Sequence, residues 1–355
     1  MKILDRYIAK QIIAMILIVA VALLGFDLFF TLVHELKVVG KGQYTLASAL
    51  AFIAFTIPTR LYTMFPWSAL IGALISLGAL ANHSELVVMR TAGVSVLRMT
   101  GFVLKAALIL AVVAVFLGEG IAPVAERLAQ NNRTLALSGG QTIETAFGLW
   151  VRQGQEFIHI RAVRANGELL GVTRYQFDSN RQLKEAIYAE SAVPEGKGWR
   201  LNKVQGTQFT PKKTKAFRDE TQFVANLLEV EILETATIKH PERLSLRALY
   251  RTIQHRLKND LNAQTYELAF WTKILQPLVI LMMVFLAVPF IFGPLRTVSM
   301  GFRIVVGICV AFLFHTLNNL FVPLAVVYQF PPFIAVLCPI IVFSGFGIWL
   351  LKRVK

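Results

Sequence analysis

Long apolar runs dominate the hydrophobic pattern of this chain. A helix needs about 20 apolar residues to cross a hydrocarbon core about 30 Å thick. The runs that approach or exceed this length are residues 12–33, 61–81, 101–123, 268–292, 304–327 and 333–351. The pattern therefore predicts six transmembrane helices. The first run lacks a small-residue cleavage site, so we expect it to stay as a helix and not to be removed as a signal peptide.

A further apolar run, residues 46–57, is shorter than a span and ends at Pro58 and Arg60. We interpret it as an interfacial lead-in to the second span and not as a seventh crossing.

The pattern changes between the third and fourth spans, where short segments alternate polar and apolar residues or carry β-branched and aromatic ones. These candidate strands are residues 147–153, 156–163, 168–177, 182–192, 198–210 and 215–225. Gly, Asn and Asp residues separate them and are typical of turns. Short strands at this spacing predict a sandwich or jelly roll. A sandwich core and an open sheet that meets a lipid both fit the alternation, and the pattern favours the core.

The fold class that follows is a polytopic α-helical membrane protein of 3+3 helices with an inserted, jelly-roll-like β-domain. Its predicted domains are residues 1–123, 124–266 and 267–355. A helix over residues 246–257, capped by Ser245, is expected to lead from the β-domain to the fourth span. The composition, 55% hydrophobic and 16% charged, agrees with a membrane protein.

The basic residues beside the spans predict the orientation of the chain. One side collects Lys2, Arg6, Lys10, Arg90, Arg98, Arg296, Arg303, Lys352, Arg353 and Lys355, whereas the short loops opposite hold Lys37 and Lys41. Because cytoplasmic loops carry the excess of Lys and Arg, both termini are predicted to be cytoplasmic. The inserted domain then lies on the opposite side of the membrane, which is the periplasm if the cell is Gram-negative.

Sequence motifs for catalysis are missing. The chain has no G-x-x-x-x-G-K-[ST] phosphate-binding loop and no G-x-S-x-G nucleophile elbow. Its six histidines are dispersed, without metal-binding spacing. We therefore predict that the chain is not an enzyme, and we expect no catalytic residue, metal, cofactor or nucleic acid.

The link between the second and third spans, "NHSELVVMRTAGVS", is unusually apolar for a loop. Ser84 can cap a short helix whose first residue is Glu85, and Ala92 and Gly93 can end it. A cytoplasmic helix with an apolar band at residues 86–89 needs a headgroup layer or a partner groove. An anionic membrane surface would repel Glu85, which favours a protein partner. An ordinary interfacial loop remains the alternative.

Several polar residues stand near or inside the spans. Lys37 and Lys41 share one face if the first helix continues, and Arg133 follows the third span. These cations could bind headgroup phosphates, although snorkelling explains each one equally well. Polar residues inside the spans are expected to form interhelical hydrogen bonds; they are Asp27, His315, Asn318 and Asn319, and the role of Lys273 is left undecided. Small residues of the second span are expected to allow close helix packing; they are Gly72, Ala73, Gly78 and Ala79.

Five segments carry a family resemblance, in order along the chain: "LDRYIAKQI", "SELVVMRTAGVS", "GEGIAPVAE", "FWTKILQPL" and "FIFGPLRTVSMGFR". Together they resemble the lipopolysaccharide-export permeases of the LptF/LptG family, and within it the LptG branch. The resemblance implies a transmembrane subunit that pairs with an LptF-like permease, an LptB-like ATPase dimer and an LptC-like bitopic protein. This inner-membrane complex would extract lipopolysaccharide with energy from the partner ATPase. The LptF branch, a membrane scaffold that docks other strand-rich proteins and an ion-driven transporter remain alternatives.

The resemblance also implies site residues. It places a helix that couples the permease to the ATPase at residues 84–92, where the coupling residues would be Ser84, Glu85, Leu86, Met89 and Arg90. The basic lipopolysaccharide-binding positions fall on Lys37, Lys41 and Arg133. A lipid with several acyl chains also needs an apolar cavity between the helices of two subunits. The candidates for lining it are Phe30, Phe314, Leu317 and Phe321, although contact with lipid or helix packing explains each of them equally well.

Overall fold

The structure is a computed structural model that describes residues 2–137, 143–164, 167–178, 180, 182–195, 198–210, 213–225, 227, 241–259, 261–293 and 298–353. Its helices are α1 (Lys2–Leu36), α2 (Leu46–Asn82), α3 (Glu85–Thr91), α4 (Val96–Phe116), a π-helix (Leu117–Ile121), α5 (Ala122–Leu137), a 3-10 helix (Pro241–Arg243), α6 (Leu246–Lys258), α7 (Gln264–Phe292), α8 (Met300–Tyr328) and α9 (Pro332–Arg353). The strands are β1 (Ile143–Gln153), β2 (Glu156–Val163), β3 (Leu169–Phe177), β4 (Leu183–Glu195), β5 (Gly198–Thr210) and β6 (Lys213–Val224).

Six membrane-length helical segments occur in the part of the chain that the structure describes, as the hydrophobic pattern predicts. They are α1, α2, the continuous run from α4 through the π-helix to α5, α7, α8 and α9. The third of these is the longest, at 42 residues, because the helix continues beyond the apolar run to Leu137. The predicted fold class, a six-span helical protein with an inserted β-domain, is confirmed.

The helix α2 corrects the interpretation of residues 46–57. They are not a separate lead-in, because α2 runs unbroken through Pro58 and Pro66. Proline removes a backbone hydrogen bond, but neighbouring helices can compensate for it inside a membrane protein. The apolar window of α2 is 72% buried, which is the packing that this compensation requires.

The chain divides into two compact units. The helical unit comprises Met1–His34, Ile53–Leu128 and Gln264–Lys355, and the sheet unit comprises Glu35–Phe52 and Ala129–Ala263. Segments from both ends of the chain thus share one core in the helical unit. The sequence-based domain limits at residues 123 and 266 stay a prediction.

Glycines of α2 allow close packing in the core of the helical unit. A Cβ added at Gly72 of α2 would lie 2.5 Å from the Cα of Ile16, and one at Gly78 would lie 2.6 Å from Nη1 of Arg303. The guanidinium of Arg303, which is fully buried, donates a 2.8 Å hydrogen bond to the Gly78 carbonyl. The small residues of the second span therefore allow close packing, as predicted.

The six predicted strands are all present, and in the described residues they form one antiparallel sheet in the order β1-β2-β3-β4-β5-β6. Each strand pairs with its neighbour in sequence, for example Ala189 of β4 with Val204 of β5. One face is apolar and buried, because alternate residues such as Ile158, Ile160 and Val172 point into the same core. Within the described strands this is a single-layer meander, whereas the pattern had favoured two packed layers.

The helix α6 follows the sheet as predicted. The Ser245 side chain accepts a 3.3 Å hydrogen bond from the Ala248 amide and so caps the helix. Leu249 and Ile253 are buried, whereas Leu257 is exposed.

Candidate partner-binding and lipid-binding sites

The helix α3 divides its apolar residues between two sides. Leu86 and Met89 are 4% and 8% exposed and belong to the core of the helical unit. Val87 and Val88 are 45% and 64% exposed. Leu86 and Met89, predicted as coupling residues, therefore anchor α3 to its own chain, and the apolar surface open to a partner is formed by Val87 and Val88.

The ends of α3 differ in how well they match the sequence. Ser84 stands at the N-cap, but its φ of 59° is left-handed and its side chain makes no capping hydrogen bond, so the predicted serine cap is wrong. At the other end the Ala92 amide donates to the Val88 carbonyl, and Gly93 adopts a φ of +84°. This end matches the predicted stop, because glycine adopts that conformation without a steric penalty.

Glu85, the first residue of α3, is half-buried and held by a contact from α1. The Tyr7 hydroxyl donates a 3.1 Å hydrogen bond to Glu85 Oε2. Arg90, in the last turn of α3, is exposed. The sequence did not indicate the Tyr7 contact, because the two residues are 78 positions apart. The carboxylate is thus fixed at the edge of the exposed valine surface.

The basic residues after α1 lie in a turn and not on a helical face. The helix ends at Leu36, and the amides of Val38 and Val39 both donate to the Glu35 carbonyl. Because the helix does not continue, Lys37 and Lys41 do not share a helical face. Both lysines are exposed. We call residues 37–45 the α1–α2 turn.

The end of α5 fixes the α1–α2 turn. The Gln43 amide donates a 2.8 Å hydrogen bond to the Ala136 carbonyl. Gly42 has a φ of +59°, and a Cβ there would lie 2.5 Å from the Leu137 carbonyl oxygen. Only glycine fits this close approach without strain. The structure thus brings the segments that carry Lys37, Lys41 and Arg133 into one local arrangement in the sheet unit.

Arg133 belongs to a compact polar cluster with Glu35 and Tyr44. Its Nε donates to Glu35 Oε2 at 3.1 Å, and the Tyr44 hydroxyl donates to the same oxygen at 2.8 Å. The guanidinium also lies 5.2 Å from the ring centroid of Phe52. Burial and the hydrogen bond to Glu35 raise the pKa of Tyr44 to about 12, so the phenol stays protonated and donating at neutral pH.

The cluster changes the interpretation of Arg133. The Glu35 side chain is 4% exposed, and a carboxylate this buried needs a compensating charge. Arg133 supplies that charge and so holds the first helix end near α5. A guanidinium has five N–H donors, so the same residue can also contact an anion. Lys37 and Lys41 are the more accessible of the three predicted cations.

The four predicted cavity residues lie in different environments of the helical unit. Phe30 is 55% exposed and packs edge-to-face against Phe26 and Phe29. Phe314 is 7% exposed and packs against Phe343 with ring centroids 5.3 Å apart. The Phe314 ring therefore packs in the core of this chain, and its assignment to a cavity between two subunits stays a prediction. Two further predicted residues, Leu317 and Phe321, are partly buried.

Polar residues inside the spans form pairs between and within helices. Asp27 of α1 forms an ion pair with Arg60 of α2. Within α8, Nε2 of His315 lies 2.9 Å from Nδ2 of Asn319, one turn further along the helix. Lys273 of α7 forms an ion pair with Glu119 of the π-helix, with 3.0 Å between Nζ and Oε1. Glu119 is not among the residues predicted from the sequence, although an acidic residue within an apolar run indicates a buried partner.

Comparison with known proteins covers nearly the whole chain. Residues 6–353 match the family described as "Lipopolysaccharide export system permease LptF/LptG". The chain is 36% identical to the LptG permease protein of Escherichia coli K12 over 359 residues, which is 99% of this chain and 98% of that protein. It is also 36% identical to the LptG permease protein of Haemophilus influenzae Rd over 353 residues, with the same two coverages. The chain therefore belongs to the lipopolysaccharide export system permease LptF/LptG family.

Proposed function

We propose that this chain is the LptG-type permease subunit of an ABC transporter that extracts lipopolysaccharide from the inner membrane. It pairs with an LptF-like permease and an LptC-like bitopic protein, and an LptB-like ATPase dimer hydrolyses the ATP. The released lipid passes to a periplasmic bridge. The family match over residues 6–353 is the observation that carries this proposal. The LptF alternative has less support, because the two relatives compared above are both LptG proteins.

Two helices with uncovered apolar faces support a role for a second permease subunit. The apolar windows of α1 and α8 are each 22% buried within this chain, against 72% for α2. Exposed aromatic residues on these helices include Phe26, Phe29 and Phe312. Such faces suit either lipid or a neighbouring helix, and a cavity for an acylated lipid needs both. In this proposal Phe30, Leu317 and Phe321 contribute to that cavity.

The α3 surface supports the docking of a cytoplasmic ATPase. Val87 and Val88 offer a small apolar patch, with Glu85 and Arg90 beside it. Burying such a patch in a partner groove removes apolar surface from water, and the flanking charges give specificity. This placement agrees with cytoplasmic termini and a periplasmic β-domain within residues 124–266. ATP hydrolysis is then a property of the partner and not of this chain.

Reconstitution tests the proposal directly. Proteoliposomes that contain this chain, its partner permease, the bitopic protein, the ATPase and lipopolysaccharide are expected to release lipid to a soluble acceptor when ATP is added. Complexes without this chain should release none. A scaffold would bind the other components yet leave lipid release unchanged when it is removed, and that result would contradict the proposal.

The α1–α2 turn gives a second prediction. A double substitution, Lys37→Ala with Lys41→Ala, should lower photocrosslinking of lipopolysaccharide at neighbouring sites, because two exposed cations that can bind phosphate are lost. Replacing Lys213 and Lys215, exposed lysines of β6, with alanine provides a charge-matched control. Unchanged crosslinking in the lysine variant would assign both lysines to snorkelling.

The substitution Arg133→Ala should instead lower the thermal stability of the complex, since it leaves Glu35 buried without its charged partner.

A further inference from the structure

The third span contains a π-helix, Leu117–Ile121, between two α-helical segments. The Ala122 amide donates to the Leu117 carbonyl, which is the five-residue spacing of a π-turn. Such a turn holds one more residue than an α-turn, is rare, and is frequent at functional sites. The sequence here is Leu-Gly-Glu-Gly-Ile, and its two glycines lower the barrier to a change of backbone conformation.

Lys273 of α7 contacts this π-helix at two points. Its Nζ lies 3.0 Å from Glu119 Oε1 and donates at 3.4 Å to the Gly118 carbonyl. The Lys273 side chain is 7% exposed and that of Glu119 is 25% exposed. Both charges therefore lie largely inside the helical unit, at the position where the helix departs from α-geometry.

A third helix completes the arrangement. Gly118 packs against the Tyr62 ring of α2 so closely that a Cβ would lie 2.4 Å from Tyr62 Cε2. Lys273 Nζ lies 5.8 Å from the centroid of the same ring. Gln276 of α7 donates at 3.4 Å to the Tyr62 carbonyl, and Thr59 donates at 3.4 Å to the Ala122 carbonyl. Side chains of both α2 and α7 thus contact the π-helix or the residue that follows it, and Gln276 joins the two helices.

A buried ion pair does not by itself explain stability. Well-packed apolar residues of similar volume often stabilise a protein equally well, whereas removal of one partner leaves an uncompensated charge. A role in selecting one backbone conformation of the π-helix therefore explains the Lys273–Glu119 pair better than a gain in stability does. If the π-turn shifts to another position in the span, each residue between the old and new positions rotates by about 100° around the helix axis and moves by about 1.5 Å along it. Movement of this kind requires the pair to break.

We propose that Glu119 and Lys273 form a latch that holds the π-helix in its present register and opens during the transport cycle. In this role they are positioning residues that link ATP hydrolysis in the partner to a change in the third span. The inference rests on the proposed transport function, but its effect on the π-helix can be measured without transport.

The test uses the full complex in proteoliposomes and two readouts. Lys273→Met should lower the lipid released per ATP hydrolysed by at least about fivefold, the lower end of typical coupling effects. The double variant Glu119→Leu with Lys273→Met removes both charges, should assemble normally, and should show the same loss. Charge exchange, Glu119→Lys with Lys273→Glu, should restore at least part of the coupling. Lys105→Met is the control, because Lys105 also forms an ion pair, with Asp5, but its side chain is 63% exposed whereas that of Lys273 is 7% exposed.

Hydrogen exchange of the peptide around residues 113–125 supplies the second readout. In the wild-type complex this peptide should exchange faster when ATP is trapped, and in both uncoupled variants it should exchange fast with and without nucleotide. Normal lipid release per ATP in the double variant would overturn the latch and leave a purely structural pair. Nucleotide-independent exchange in the wild type would overturn it as well. If the wild-type complex exchanges as expected but releases no lipid, the latch stands and the proposed transport function fails.

Discussion

Replacing Glu85 with lysine is expected to separate this chain from its ATPase and to stop lipid release together. Glu85 is held beside the exposed residues Val87 and Val88 by the Tyr7 hydroxyl, and a lysine cannot accept that hydrogen bond. A reversed charge also faces whatever basic group the partner presents, and such a mismatch costs several kcal/mol. Copurification of the ATPase should therefore weaken by at least about tenfold, which corresponds to about 1.4 kcal/mol.

Two milder variants separate the contributions to this effect. Glu85→Gln keeps an acceptor for Tyr7 but removes the charge, so it isolates the electrostatic part. Tyr7→Phe keeps the charge but frees the carboxylate, so it isolates the positioning part. We expect the glutamine variant to bind the ATPase more weakly than the phenylalanine variant. Normal assembly and export by Glu85→Lys would remove Glu85 from the coupling site.

Gly72→Ala is expected to have the largest effect on folding. The added Cβ would lie 2.5 Å from the Ile16 Cα and 2.8 Å from the Ile16 nitrogen, which are backbone atoms of α1 that no rotamer change can move. The helices α1 and α2 must then separate, and overpacking of this kind costs about 1–3 kcal/mol. Alanine favours a helix over glycine by less than this, about 1 kcal/mol. The variant should unfold at a lower temperature in detergent.

Gly25 and Gly101 provide matched controls for this substitution. Both lie inside helices, in α1 and α4, and a Cβ at either position meets no atom within 4 Å. Alanine at these positions should leave the unfolding temperature unchanged or raise it slightly. Equal unfolding temperatures for the Gly72 and Gly101 variants would show that the approach of α1 to α2 does not limit stability.

Much of the architecture follows from local pattern. Each apolar run, for example residues 12–33, is long enough to cross a bilayer. It does so as an α-helix, because a helix satisfies all backbone hydrogen bonds within a single segment where no water is present. The alternation in residues 156–163 determines a strand with Ile158 and Ile160 on one face. The sequence also predicted the stop of α3 at Gly93 and the Ser245 cap of α6, since both depend on residues within one turn.

Local pattern was least informative where a neighbour distant in the chain decides the environment of a residue. Residues 46–57 are continuous with the second span because packing around α2 compensates for the missing hydrogen bond of Pro58. Nothing near Arg133 in the sequence indicates that Glu35 and Phe52 contact it. Nothing near Phe314 indicates that Phe343 packs against its ring.

The sequence by itself thus determined the six spans, the six strands and the family, because hydrophobic period, length and motif order are local properties. Only the tertiary structure decided which residues contact the charged side chains. The partners of Glu119, Glu85 and Arg133 lie 154, 78 and 98 positions away along the chain. The free energy of a buried charge depends on the atoms within a few ångströms of it, and those atoms are supplied by packing between distant helices and not by sequence neighbours.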